Sequence, residues 1–230
     1  TLAVRVLSAR QSAGDALQRM KAYAEQHRDD PAVWLALAGV ARKKNDGAAE
    51  ADALQKALAL APEAAEVWAA LANLYDRQQD YANAAEANRK LLSLLPDRPD
   101  IQNNFAYSLL QSGGDVQEAL KLATAAAERL KANPYVLHTL GLAYRKAGRF
   151  SEAQERLAAA LELRPGDPTL LYEYGRTLMD MNKRREGLQH IELAVLHARQ
   201  LNAAFPALEE AEALLQGERE KQGQGVGGSS

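Results

Sequence analysis

The chain carries four histidines, His27, His138, His190 and His197, and no cysteine. A zinc site on a helix needs two ligands four residues apart and a third donor. His190 and His197 are seven apart, which fails that spacing and marks them as surface side chains. Acid pairs such as Asp29-Asp30 and Glu209-Glu210 recur. General acid–base work, however, needs carboxylates that converge in a pocket and shift each other's pKa. On helix faces these pairs are solvated charges. Gly223, Gly225 and Gly228 match G-x-G-x-x-G, but that loop cradles a pyrophosphate only between a strand and a helix. No strand precedes it, so a flexible Gly/Ser tail is expected over 222–230. There is no G-x-S-x-G and no phosphate-binding loop. The absence of cysteine removes disulfides, thiolate zinc sites and a thiol nucleophile. The expectation is a non-catalytic protein with no cofactor and no metal.

Charge and composition narrow the partners. The formal net charge is −2, so no global basic field draws nucleic acid. Two basic clusters, Arg42-Lys43-Lys44 and Lys183-Arg184-Arg185, lack interleaved aromatics and read as solubility and local pairing rather than RNA binding. No apolar run reaches the roughly 18 residues of a membrane-spanning helix. Arg5 interrupts the apolar start at Thr1–Ala13, which therefore does not read as a secretory leader. Cytoplasm and a bacterial periplasm or envelope both stay open as locations.

The elements that would position any site follow a fixed period. Trp34 and Trp68 are 34 residues apart, as are Pro62 and Pro96, Leu137 and Leu171, and Gly141 and Gly175. Asn133 to Pro168 shows one unit whole. Leu137, Leu140, Gly141 and Tyr144 lie at helical spacing, Gly148-Arg149-Phe150 interrupts, and Ala153, Leu157, Ala160 and Leu161 resume it before Pro165. In the first helix of each unit a large residue (Leu37, Leu71, Phe105, Leu140, Tyr174) precedes a small one (Ala38, Ala72, Ala106, Gly141, Gly175). The small residue lets two helix backbones approach. Ala84, Ala119 and Ala153 fill the matching slot of the second helix, whereas Glu50 and Gly187 depart from it. Looser packing is expected in those two hairpins. Asp30-Pro31, Asn133-Pro134 and Asp167-Pro168 place a capping side chain before a helix-opening proline. Turns are expected at Asp46-Gly47, Gln79-Asp80, Gly113-Gly114-Asp115 and Gly148.

This pattern resembles the tetratricopeptide repeat (TPR), a 34-residue helix–turn–helix unit. The resemblance implies an all-α fold, a right-handed superhelical solenoid of TPR hairpins closed by a C-terminal capping helix. Five repeats fall at 31–64, 65–98, 99–133, 134–167 and 168–201, the third lengthened by one glycine. Residues 1–30 read as a truncated or degenerate hairpin, with Asp15–His27 as its second helix and Leu2–Arg10 as the remnant of the first. That half-apolar start is no obvious cap and the chain opens on Thr, so further repeats upstream are expected. Residues 202–221 read as the capping helix, with Leu208, Ala211, Leu214 and Leu215 inward and Glu209, Glu210, Glu212 and Glu218 toward water.

In TPR proteins the first helices line a concave groove. By resemblance its slots here are Asn73 and Asp76 in repeat two, and Asn103, Asn104 and Tyr107 in repeat three. Repeat four supplies Tyr135, His138, Thr139 and Arg145; repeat five supplies Tyr172, Glu173, Arg176 and Met179. Asparagine amides can hold an extended peptide backbone, tyrosine adds amphipathic area, and arginine offers a carboxylate fork. TPR domains that clamp a chaperone's terminal carboxylate carry lysines and an arginine beside two asparagines. At those slots this chain has Ala69, Asn73, Asn104, Tyr135 and Thr139, so all three cations are missing and that clamp is not expected. The expected role is a scaffold binding a peptide or protein partner. The Asn-Asn-Phe-Ala-Tyr opening of repeat three resembles Ala-rich bacterial TPR proteins, some of which serve envelope secretion or polysaccharide export. Alternatives are a docking segment of a larger enzyme such as a glycosyltransferase, and self-assembly through the open N-terminal end.

Overall fold

The computed structural model describes residues 13–202 and 205–226, and within them twelve α-helices and no strand. The chain divides into two compact units at Ser112/Gly113. The first holds α1 (Ala13–Gln26), α2 (Pro31–Lys43), α3 (Gly47–Leu60), α4 (Ala65–Arg77), α5 (Tyr81–Leu94) and α6 (Pro99–Ser112). The second holds α7 (Val116–Arg129), α8 (Pro134–Lys146), α9 (Phe150–Leu163), α10 (Pro168–Asp180), α11 (Arg184–Gln200) and α12 (Leu208–Val226). Within each unit every helix packs on the next in sequence. This is the all-α helical-repeat fold that the 34-residue period requires. The helix expected over Leu2–Arg10 lies outside the described residues. Helix α12 runs to Val226, so Gly223 and Gly225 are helical rather than part of a loose tail.

Local chemistry sets the helix ends. Asp30, Asn133 and Asp167 each accept a backbone N–H of the following first turn, at 2.9, 3.0 and 3.0 Å, and each is followed by proline. Asp46, Asp80 and Asp115 cap second helices in the same way. The turn inside each of the five repeats contains one residue in the left-handed region: Asn45, Gln79, Gly113, Gly148 and Asn182, with φ between 56° and 75°. The period thus extends to a single backbone torsion. In the first hairpin that residue is Asn45, and Gly47 instead opens α3. A side chain in this conformation is strained by Cβ contact, which glycine at 113 and 148 avoids.

The core of the first unit gathers Met20, Trp34, Leu37, Leu54 and Leu71. Two indoles repeat one tie: Trp34 Nε1 donates to the Arg28 carbonyl at 2.9 Å and Trp68 Nε1 to the Pro62 carbonyl at 2.8 Å. Each pins a first helix to the loop before it. In the second unit Leu137, Leu157, Ala160 and Leu170 form one cluster, and Leu171, Tyr172, Ile191, Phe205 and Ala211 another. The small slots behave as expected. A Cβ on Gly141 would lie 2.7 Å from Leu157 Cγ.

Neither departure from the small-residue slot loosens its hairpin. Gly187 brings α11 against α10, where a Cβ would meet the Gly175 carbonyl oxygen at 2.6 Å. Glu50 is buried at 4 % exposure and its carboxylate accepts from Arg77 of α4 at 2.6 Å. The carboxylate thereby ties its hairpin to the next.

Candidate functional site

In the first unit the first-helix slots fall on α4 and α6. Asn73 is exposed, with its amide nitrogen on the Ala69 carbonyl at 2.8 Å. Asp76 is exposed at the end of α4; crowding by neighbouring atoms raises its pKa, and Arg77 acts against that rise. Asn104 is exposed, and Tyr107 is half-buried with its ring edge-on to Tyr81 at 5.9 Å. Asn103 departs from expectation. It is buried, its amide nitrogen reaches Asn104 Oδ1 at 3.4 Å, and its Oδ1 has no hydrogen-bond partner among the described residues. It is not an open groove contact.

In the second unit the slots fall on α8 and α10. Tyr135 is 60 % exposed. Arg164 stacks over its ring at 5.1 Å and donates to its hydroxyl, and Arg164 also pairs with Asp167 at 3.1 Å. His138 is half-buried. Burial lowers its pKa, and the carboxylates of Glu173 and Asp167 oppose that shift. Thr139 is buried, with its hydroxyl on the Tyr135 carbonyl at 3.0 Å. Arg145 bridges α8 to α10, donating to Glu173 at 3.0 Å and to Asp180 at 2.7 Å.

Tyr172 is a core residue, not a groove residue. It is 3 % exposed, packs 5.7 Å from Phe205, and burial pushes its phenol up to about 12. Arg176 donates to the Tyr172 hydroxyl at 2.7 Å and pairs with Glu210 of α12. The physical reason is α12 itself. Glu210, Glu212 and Glu218, expected to face water, pair with Arg176, Arg199 and Arg184. Arg176 and Glu210 are separated by 34 residues, and so are Arg184 and Glu218. Helix α12 therefore occupies the place of a sixth first helix and covers the fifth. That 34-residue charge spacing is present in the sequence and is the signal that locates these pairs.

The result in the second unit is a polar strip whose side chains are already held. Arg145, Arg164 and Arg176 are all committed to carboxylates of the same chain, so they are not open forks for a partner's acid. A cleft of about 490 Å³ lies beside the strip, lined by Arg176, Met179, Asp180, Arg184, Glu210 and Leu214. Among the described residues no group of three or more His, Asp or Glu is placed to hold a metal. No described helix is long and apolar enough to cross a membrane.

A run of paired helices with one period, repeated caps and repeated left-handed turns defines a helical-repeat protein. A family model for the tetratricopeptide repeat matches residues 51–99, and one for anaphase-promoting complex, cyclosome, subunit 3 matches residues 112–194. Over these segments the chain carries tetratricopeptide-type helical repeats. Among solved structures it is similar to YrrB, described as a TPR protein with an unusual peptide-binding site. The identity is 21 % and the TM-score 0.61, over 77 % of this chain and 91 % of that one. It is also similar to a MamA protein, at 18 % identity and TM-score 0.60 over 76 % and 98 % of the two chains. MamA from Desulfovibrio magneticus RS-1 aligns at 16 % identity and TM-score 0.63, over 74 % and 96 %. No curated protein sequence matches the chain significantly.

Proposed function

We propose that the protein is a non-catalytic scaffold that holds an extended segment of a peptide or protein partner against the first-helix faces of its hairpins. The observation that carries this reading is Tyr135. It is 60 % exposed, yet its ring and hydroxyl are both fixed by Arg164. A large amphipathic ring kept in solvent and already ordered loses little conformational entropy on binding. Asn73 and Asn104 present exposed amides on first helices of the other unit, suited to peptide backbone rather than to one side chain. The internally paired arginines favour a partner read through backbone and apolar contacts over one read through carboxylates. The peptide-binding site named for YrrB supports the same reading. The likeness of repeats three to five to Ala-rich bacterial TPR proteins favours an envelope secretion or polysaccharide-export assembly as the setting.

The test is affinity capture from the source cell with wild type beside Asn104→Ala/Tyr135→Ala. Both side chains are exposed, so circular dichroism should be unchanged. A partner caught by wild type and lost by the variant supports the reading. A partner retained equally by both, or none caught by either, overturns it.

A further inference from the structure

Helix α11 breaks the repeat on its outer face. Leu193 and Leu196 are 43 % and 48 % exposed. At the 34-residue register of the second helices, Leu193 stands where the other hairpins have Lys56, Lys90, Ala125 and Ala159. Leu196 stands where they have Ala59, Ser93, Glu128 and Glu162. Two leucines in water where earlier hairpins carry small or charged residues are unexplained by packing within the chain. Gln189, Glu192, Leu193, Leu196 and Arg199 are all exposed at spacings of three and four, one stripe along the helix. The opposite face, with Ile191, Ala194, Val195 and Ala198, is buried.

Between this stripe and α12 lies a groove of about 960 Å³, with Leu193, Leu196 and Leu215 among its lining residues. Arg199 pairs with Glu212 at 2.7 Å and Arg219 with Glu192 at 3.3 Å across it. The charge order along α11 is the informative part. An acid, Glu192, stands at one end of the leucine pair and a base, Arg199, at the other. A two-fold axis through the leucines sets Glu192 of one copy against Arg199 of another, and the reverse, with the leucines at the centre. The rim carries two bases and two acids, so it has no net field to select a strongly charged partner.

We propose that the outer face of α11 is a homodimer interface, in which α11 packs antiparallel against α11 of a second copy. The leucine pair supplies the apolar centre, and the Glu192–Arg199 exchange, which replaces the solvent-exposed Glu192–Arg219 and Arg199–Glu212 pairs within each chain, fixes the direction. This is separate from peptide binding on the first-helix faces.

Sedimentation equilibrium over a concentration series tests it, with four variants of the full chain. Wild type should show twice the monomer mass at high concentration. Leu193→Glu/Leu196→Glu should stay monomeric with unchanged helicity, since both side chains are in solvent. Glu192→Arg and Arg199→Glu should each weaken association by roughly tenfold. Combining the two should restore it, although the combination breaks both pairs to α12 within the chain. A monomeric wild type at every concentration overturns the proposal. So does dimer mass retained by the leucine variant, or a double charge variant no better than its singles.

Discussion

Gly175 of α10 and Gly187 of α11 face each other so closely that a Cβ on either would lie 2.6 Å from the other's carbonyl oxygen. Both opposing atoms are backbone, so neither can swing aside. Gly187→Ala therefore should destabilise the protein by about 1–3 kcal/mol, the usual cost of overpacking, despite alanine's better helix propensity. Gly39, inside α2, lies in open space, and a Cβ added there would meet nothing within 4 Å. Gly39→Ala should stabilise by about 0.5–1 kcal/mol through propensity alone. Urea midpoints of the two variants should move in opposite directions.

Glu50, in a slot that three other hairpins fill with alanine and the fifth with Gly187, is tied to Arg77 of the next hairpin. The Glu50 side chain is 5 % exposed and that of Arg77 43 %. Removing the arginine strands a buried carboxylate, and Arg77→Ala should cost about 1–3 kcal/mol. Glu50→Ala leaves a guanidinium that water can reach and restores the small residue, so it should cost less than about 1 kcal/mol. The double variant should match Glu50→Ala alone. A double-mutant cycle by chemical denaturation reads this directly.

The fold is legible in the sequence because its determinants are local and repeated. Asp30, Asn133 and Asp167 cap within three residues of themselves, and Gly141 accepts Leu157 within one hairpin. The site is legible only in part, because the groove slots of a repeat presume that every first helix has an open face. Tyr172 is covered by α12 and becomes core. Arg145 and Arg176 find carboxylates on the next first helix, one turn of the period away. Those partners come from packing between hairpins, which the pattern of a single repeat does not contain. Glu50 shows the same limit: a charge in an alanine slot signals misfit locally and is satisfied only by Arg77, 27 residues on.

His138 carries a dependence on pH. Burial lowers its pKa below the ordinary 6.5, and Glu173 and Asp167 act against that shift without cancelling it. The neutral imidazole is therefore favoured in the folded state. In the unfolded chain His138 takes up a proton as pH falls through about 6.5, whereas the folded chain does so only at lower pH. The stability it contributes is present above that value and is lost as pH falls through the folded pKa. His138→Leu cannot take up this proton, so its urea midpoint should fall less steeply than wild type's as the buffer is moved from neutral to mildly acidic. Below that window the carboxylates titrate, and the two curves should run parallel. Equal slopes throughout the mildly acidic range would place the acid sensitivity elsewhere than at His138.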